Sequence, residues 1–248
     1  MKTYIFSGIK TNNVSSYDDR AGYKGITIKT ALGLGITILV AVATSLSFYY
    51  LFYNHISTLV ATVFISMFVA LIAALVGRLS AKTAKVCIFI YSISSGFLLG
   101  VLTTLVEALV GDYVKGAGII AMFSTMIIFA IMLVLFQTGV VKNCSVLQRV
   151  MMALALGLIS LVIFSVITIL VIGSTNIWLL ILMESILLIY DILALTFNFE
   201  EAKAVVESGC SKDDEWSVAL GMIISLVYIY IELLYIIMYV AMIFGRKN

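Results

Sequence analysis

The sequence predicts an all-α polytopic membrane protein with seven transmembrane helices, and three observations carry that prediction. Of 248 residues, 63% are hydrophobic and only 11% charged, against about 45–50% and about 25% in soluble domains. Runs without Asp, Glu, Lys or Arg recur at lengths that match a bilayer crossing, which takes about 20 apolar residues. Proline is absent, although average usage would place roughly a dozen, so irregular backbone has to come from the 17 glycines. A mean hydropathy of +1.19 excludes a soluble enzyme and a disordered regulator. The net charge of +2, with no basic run, excludes a nucleic-acid partner and leaves the lipid bilayer as the surroundings.

The elements follow in order. Residues 1–27 form a polar tail with Lys2, Lys10, Asp18, Asp19, Arg20 and Lys24. It lacks the apolar core and cleavage site of a signal peptide, so the first helix is expected to be a retained span. The membrane domain is expected over 28–245. Residues 30–77 hold no acidic or basic charge, too long for one helix. Asn54-His55 divides the run into spans at about 30–53 and 57–77. A third span is expected at about 86–110 and a fourth at about 116–141. The long run from 150 is broken by Gly173-Ser174-Thr175-Asn176 into spans at about 150–172 and 177–199. The seventh occupies about 217–244.

Lysine and arginine gather on one side. The tail and the loops after helices two, four and six carry twelve of the fifteen. That asymmetry predicts a cytoplasmic N-terminus and an outer C-terminus. Without a targeting motif, a bacterial plasma membrane is expected. The loop at about 200–216 has a net charge of −4. It reads either as a solvated loop or as a cation attractor at a pore mouth.

The three cysteines, Cys87, Cys144 and Cys210, and the single His55 fit neither a disulfide framework nor a His-rich metal site. No cofactor is expected. Inside the spans, four acids stand out: Glu107, Glu184, Asp191 and Glu232. A charge at the bilayer centre costs at least about 2.5–3.5 kcal/mol, so such residues mark functional sites by default. Glu107 is near enough to the Gly111-Asp112 turn to reach the interface.

Glu184 and Asp191 are seven apart, on one face of helix six and about 10 Å apart along its axis. Counting from the helix ends places Glu184 and Glu232 at similar depths. No lysine or arginine lies deep in a span. An acid without an internal cation either keeps its proton or takes a permeant cation, and close carboxylates share a proton. Asp191 and Glu232 are the candidate cation contacts. Arg78, at the cytoplasmic end of helix two, is the long-reach partner expected for Asp191. The plainer reading is that the protonated acids hold helices six and seven together.

Several blocks resemble the Bax inhibitor-1 (transmembrane Bax inhibitor motif) superfamily, most closely its bacterial Bax inhibitor-1-like branch. They are Tyr23 through Thr30, Ser95-Gly96-Phe97-Leu98-Leu99-Gly100, Phe129 through Gly139 with Val140-Val141-Lys142, and Glu215-Trp216 with Ala219-Leu220-Gly221 and Tyr230-Ile231-Glu232-Leu233-Leu234. Their order and spacing cover most of residues 20–244. The resemblance implies a seven-helix bundle with helix seven at its centre. It also implies a pH-sensitive calcium leak, gated by a carboxylate pair on helices six and seven with an arginine latch from helix two. Eukaryotic relatives restrain cell death by lowering calcium stores.

Glu232 matches the helix-seven acid, and Arg78 stands for the latch. Helix six departs from the pattern: Thr196-Phe197-Asn198-Phe199 replaces the branch's Asp-Phe-Asp-Phe, and Ser95 stands where it often has Glu. Asp191, five residues before Thr196, is rotated about 140° from it. Either Asp191 substitutes for the missing acid or the pair is lost.

Two functions are therefore expected to compete. One is a calcium or other cation leak with Asp191, Glu232, Glu184 and Arg78 in the ion path. The other is a non-conducting regulator that binds a membrane-protein partner such as a protease. An enzyme is not expected. Tyr190-Asp191 and Gly111-Asp112 stand in the wrong order for an intramembrane aspartyl protease, and Leu109 replaces its first glycine. No serine is paired with His55 by spacing.

Overall fold

In lipid only a helix closes all its backbone hydrogen bonds within one segment, and the apolar runs obey that constraint. The computed structural model describes residues 20–52, 56–137, 144–172 and 177–245. Among these, the chain forms seven helices: α1 (Tyr23–Phe52), α2 (Ile56–Leu79), α3 (Ala81–Val110), α4 (Ala117–Gln137), α5 (Cys144–Ile172), α6 (Ile177–Glu207) and α7 (Asp214–Gly245). The far tail, the Asn54-His55 and Gly173–Asn176 breaks, the Gly139–Lys142 block and the last three residues lie outside the described residues. Six helices, all but α5, are long and apolar enough to cross a membrane. In α5 the stretch Arg149–Phe164 is a shorter apolar helix. The chain is an all-α polytopic membrane protein.

Several helix ends lie outside the expected spans, α3 starting at Ala81 and α5 at Cys144, and two others matter most. α1 is already helical at Tyr23, within the segment expected to be tail. α6 runs on to Glu207, so half of the expected acidic loop is helix. Leu195, Phe199, Ala202 and Val205 are all buried, so the apolar period continues beneath the charges. The helix stops where Gly209 takes φ +65°. The Cys210 N–H donates to the Val205 carbonyl and the Gly209 N–H to that of Val206. That pair of bonds is a Schellman turn, which needs a left-handed residue where glycine stands. Asp214 then opens α7 by accepting bonds from the Ser211 N–H at 3.0 Å and hydroxyl at 2.9 Å. With Glu215 it also complements the positive end of the helix dipole.

The residues fall into two compact units, and α6 and α7 contribute to both. The first contains α1, α2, most of α3, the end of α6 and the start of α7. Here α7 is the axis. Ile223 lies against Gly33 of α1, Leu220 against Gly77 of α2, and Trp216 is 6.0 Å from Phe89 of α3, ring centre to ring centre. α1 and α3 meet along a seam of small residues. A Cβ on Gly96 would sit 2.6 Å from the Thr37 carbonyl oxygen, and one on Gly100 2.5 Å from that of Ala41. The hydroxyls of Ser45 and Thr104 extend the seam at 2.9 Å. This is the small-xxx-small packing that lets membrane helices approach closely.

The second unit contains the end of α3, α4, α5, the first two thirds of α6 and the last two thirds of α7. α4 buries Ala117, Ala121 and Thr125, one face at helical spacing, and exposes Ile119, Phe123 and Ile127. Tyr113, in the α3–α4 turn, lies against Gly245 at the end of α7. Burial separates inner from outer helices: 56% of the α7 apolar window is inside, against 11% for α2. The remaining apolar faces are left to hydrocarbon.

Hydroxyls within the helices mostly return to their own backbone. Thr30, Thr37, Ser95, Thr125 and Thr196 each donate to the carbonyl four residues back. Polar side chains are thereby satisfied without crossing helices. The seam gives a direct test. Gly96→Ala and Gly100→Ala force a methyl against backbone and should each lower stability by about 1–3 kcal/mol. Gly157→Ala, where a Cβ meets nothing within 4 Å, should be neutral or slightly stabilising. Thermal unfolding of the purified protein in detergent checks all three.

Candidate functional site

The carboxyl groups singled out in the sequence meet in the second unit. Glu232 of α7 is buried (7% exposed) and shares a side-chain hydrogen bond with Glu184 of α6. Asp191, also buried, lies within electrostatic reach of Glu232. Glu184 and Glu232, the two acids that counting from the helix ends puts at similar depths, are the hydrogen-bonded pair, and Asp191 stands beside them. A hydrogen bond between two carboxyl groups exists only when at least one carries a proton. The second oxygen of Glu232, Oε2, is buried with no hydrogen-bond partner, an atom ready to accept a proton or a cation.

Tyrosines flank these acids along α7. Tyr228 lies within electrostatic reach of Asp191 and Glu232, while Tyr235 and Tyr239 lie within reach of Glu184 and Glu232. Tyr235 and Tyr239 stack at 6.4 Å with their planes 20° apart. Among the described residues, no group of three or more His, Cys, Asp or Glu side chains is placed to hold a metal ion. A resident metal centre is therefore not assigned to Asp191 and Glu232. Glu107 is half-buried near the end of α3, and the Gly111 N–H bonds its carbonyl.

Arg78 does not serve Asp191. In the first unit its Nη1 donates to Glu201 Oε2 of α6 at 2.9 Å and to the Ser217 carbonyl of α7 at 3.4 Å. The guanidinium lies close against α7 because Gly221 has no side chain; a Cβ there would be 2.6 Å from Nη1. Asn198, one of the two positions where the sequence pattern loses an acid, donates its amide to the Gly221 carbonyl at 3.0 Å. Arg78, Glu201 and Asn198 thus tie α2 and α6 to the same turn of α7. Sequence reasoning missed Glu201 because it was counted as a loop acid. The buried period through Val205 was the available signal.

A second missed cluster closes the same unit. Lys29 Nζ meets Glu215 Oε2 at 2.7 Å and donates to the Lys212 carbonyl at 2.8 Å, lying 4.6 Å from the Trp216 ring centre. Glu215 Oε1 accepts the Gly22 N–H at 2.8 Å, and Gly25 leaves room for the carboxylate. The Ala21 N–H bonds the Cys210 carbonyl at 2.8 Å. The start of α1 is therefore clasped to the α6–α7 turn and the start of α7. In that turn, burial and then the Asp214 carboxylate push the Cys210 thiol up from its ordinary 9.0.

Two measurements test this geometry. Glu201→Gln should cost about 1–2 kcal/mol. In a double-mutant cycle with Arg78→Gln the effects should be strongly non-additive; additive losses would deny the pair. For Cys210 the thiolate is the reacting form, so a raised thiol reacts slowly at neutral pH. With Cys87 and Cys144 replaced by serine, maleimide labelling should climb through pH 9 without levelling. A plateau below pH 9 would contradict the placement.

No curated protein matches the chain. The model of the family described as Bax inhibitor 1 like matches residues 5–242. That span takes in α1 to α6 and all but the last three residues of α7, with the carboxyl cluster and the Arg78–Glu201 bridge. The chain belongs to the Bax inhibitor 1 like family.

Proposed function

We propose that the protein is a pH-sensitive cation leak, a transport rather than an enzymatic role, with calcium the first ion to test. The observation that supports this reading is the buried Glu184–Glu232 hydrogen bond, with Asp191 within electrostatic reach. Among the described residues no lysine or arginine forms an ion pair with these acids, so a shared proton is what lets the two lie together. Raising the pH removes that proton. Two negative charges side by side in a low-dielectric site then repel or take a cation. Proton and permeant cation compete for one place. In this reading the N-terminus lies on the cytoplasmic side.

The sign follows from the competition. In liposomes carrying the purified protein, calcium entry should rise as the pH is stepped from 6 to 8. Glu232→Gln and Glu184→Gln should each flatten that dependence. A pH profile unchanged in both variants would remove the pair from the ion path. No leak at any pH would transfer the role to regulation of a membrane-protein partner.

A further inference from the structure

On α7, Tyr228, Glu232, Tyr235 and Tyr239 stand at i, i+4, i+7 and i+11. At about 100° per residue they fall within one stripe roughly 60° wide. Glu232 occupies one point on it, and Tyr235 and Tyr239 continue the stripe for about 10 Å toward the C-terminal end of the helix. Both tyrosines are partly exposed, their rings stack at 6.4 Å, and both lie within reach of Glu184 and Glu232. At the far end Gly245 lies against the ring of Tyr113. At the near end Glu232 Oε2 is buried without a partner. A polar line therefore begins at an unfilled acceptor and runs toward one membrane face.

We propose that Tyr235 and Tyr239 are the proton entry to the Glu184–Glu232 pair from the side of the membrane that carries the C-terminal end of α7. The pair then answers to the pH of that side. This rests on the reading of the pair given above and adds its sidedness. The transfer balances simply. Each phenol oxygen, or a water beside it, accepts a proton and releases one to the next, and the last O–H forms on Glu232. The net change is one proton taken from bulk water and one carboxylate converted to a carboxylic acid.

The groups that bear on the pair are Glu184 and Asp191 from α6 and Tyr228, Tyr235 and Tyr239 from α7. α4 carries no titratable side chain among its described residues, and the described part of α5 carries Arg149, exposed at its start. Tyr190 of α6, Tyr230 of α7, Glu107 of α3 and Asp112, Tyr113 and Lys115 of the following turn are the other described titratable groups of the second unit. Tyr228 lies on the opposite side of Glu232, beside Asp191, and is the internal control.

The test reads protonation rather than flux. In the full-length reconstituted protein, the infrared carbonyl stretch lost in Glu232→Gln identifies the pair. Its hydrogen–deuterium exchange is followed after a switch to heavy water. Tyr235→Phe and Tyr239→Phe keep the rings and remove only the hydroxyls. Each should slow exchange at least about tenfold, while Tyr228→Phe leaves it within twofold. Equal rates in wild type and both variants would overturn the proposal, as would slowing in Tyr228→Phe alone. A protein that conducts no cation but shows the tyrosine-dependent exchange refutes the leak and keeps the entry route. One that leaks with unaltered exchange refutes the entry route alone.

Discussion

A polar group inside a bilayer must find its partner inside the chain, and this constraint organises the molecule. Hydroxyls meet it locally by donating to carbonyls one turn back. An ionised carboxylate has no proton to donate to a carbonyl, so it must meet a cation, an N–H or an acid that keeps its proton. In the first unit Glu201 meets Arg78 and Glu215 meets Lys29, and in the second Glu232 meets Glu184. Around them the surface is left to aliphatic side chains, because lipid asks nothing else of it.

Much of this was legible in the sequence. Uncharged runs gave the helices, since few other structures close their backbone bonds in hydrocarbon. Counting residues from the helix ends matched Glu184 with Glu232 in depth. Rotation about the helix axes was not legible, so depth alone left open how closely Asp191 and Glu232 approach. The Arg78 bridge was misread for a different reason. Charge was taken to end a helix, whereas α6 continues past the apolar layer with Leu195, Phe199, Ala202 and Val205 still buried beneath Glu200, Glu201 and Lys203. A period in the apolar residues outranks the presence of charge when a helix emerges into water.

Glycine does the work that proline does in other membrane proteins, but by a different physical route. Gly33, Gly77, Gly96, Gly100 and Gly221 each remove a side chain where another helix or a guanidinium lies close. None of them interrupts its helix. The block Ser95 through Gly100, which carried family resemblance in the sequence, is thus explained by contact: its two glycines are where α3 touches α1.

The absence of proline has a mechanical meaning. α6 and α7 are unbroken for 31 and 32 residues, and sharp bends in helices almost always need proline, a glycine–serine pair or an inserted group. A rod without a hinge cannot swing one half while the other stays still. It can roll about its long axis or slide along it. A roll of α7 carries Tyr228, Glu232, Tyr235 and Tyr239 round together, because they share one narrow stripe of the helix. Glu232 cannot turn away from Glu184 and leave its tyrosines behind: the acid and its phenols move as one face.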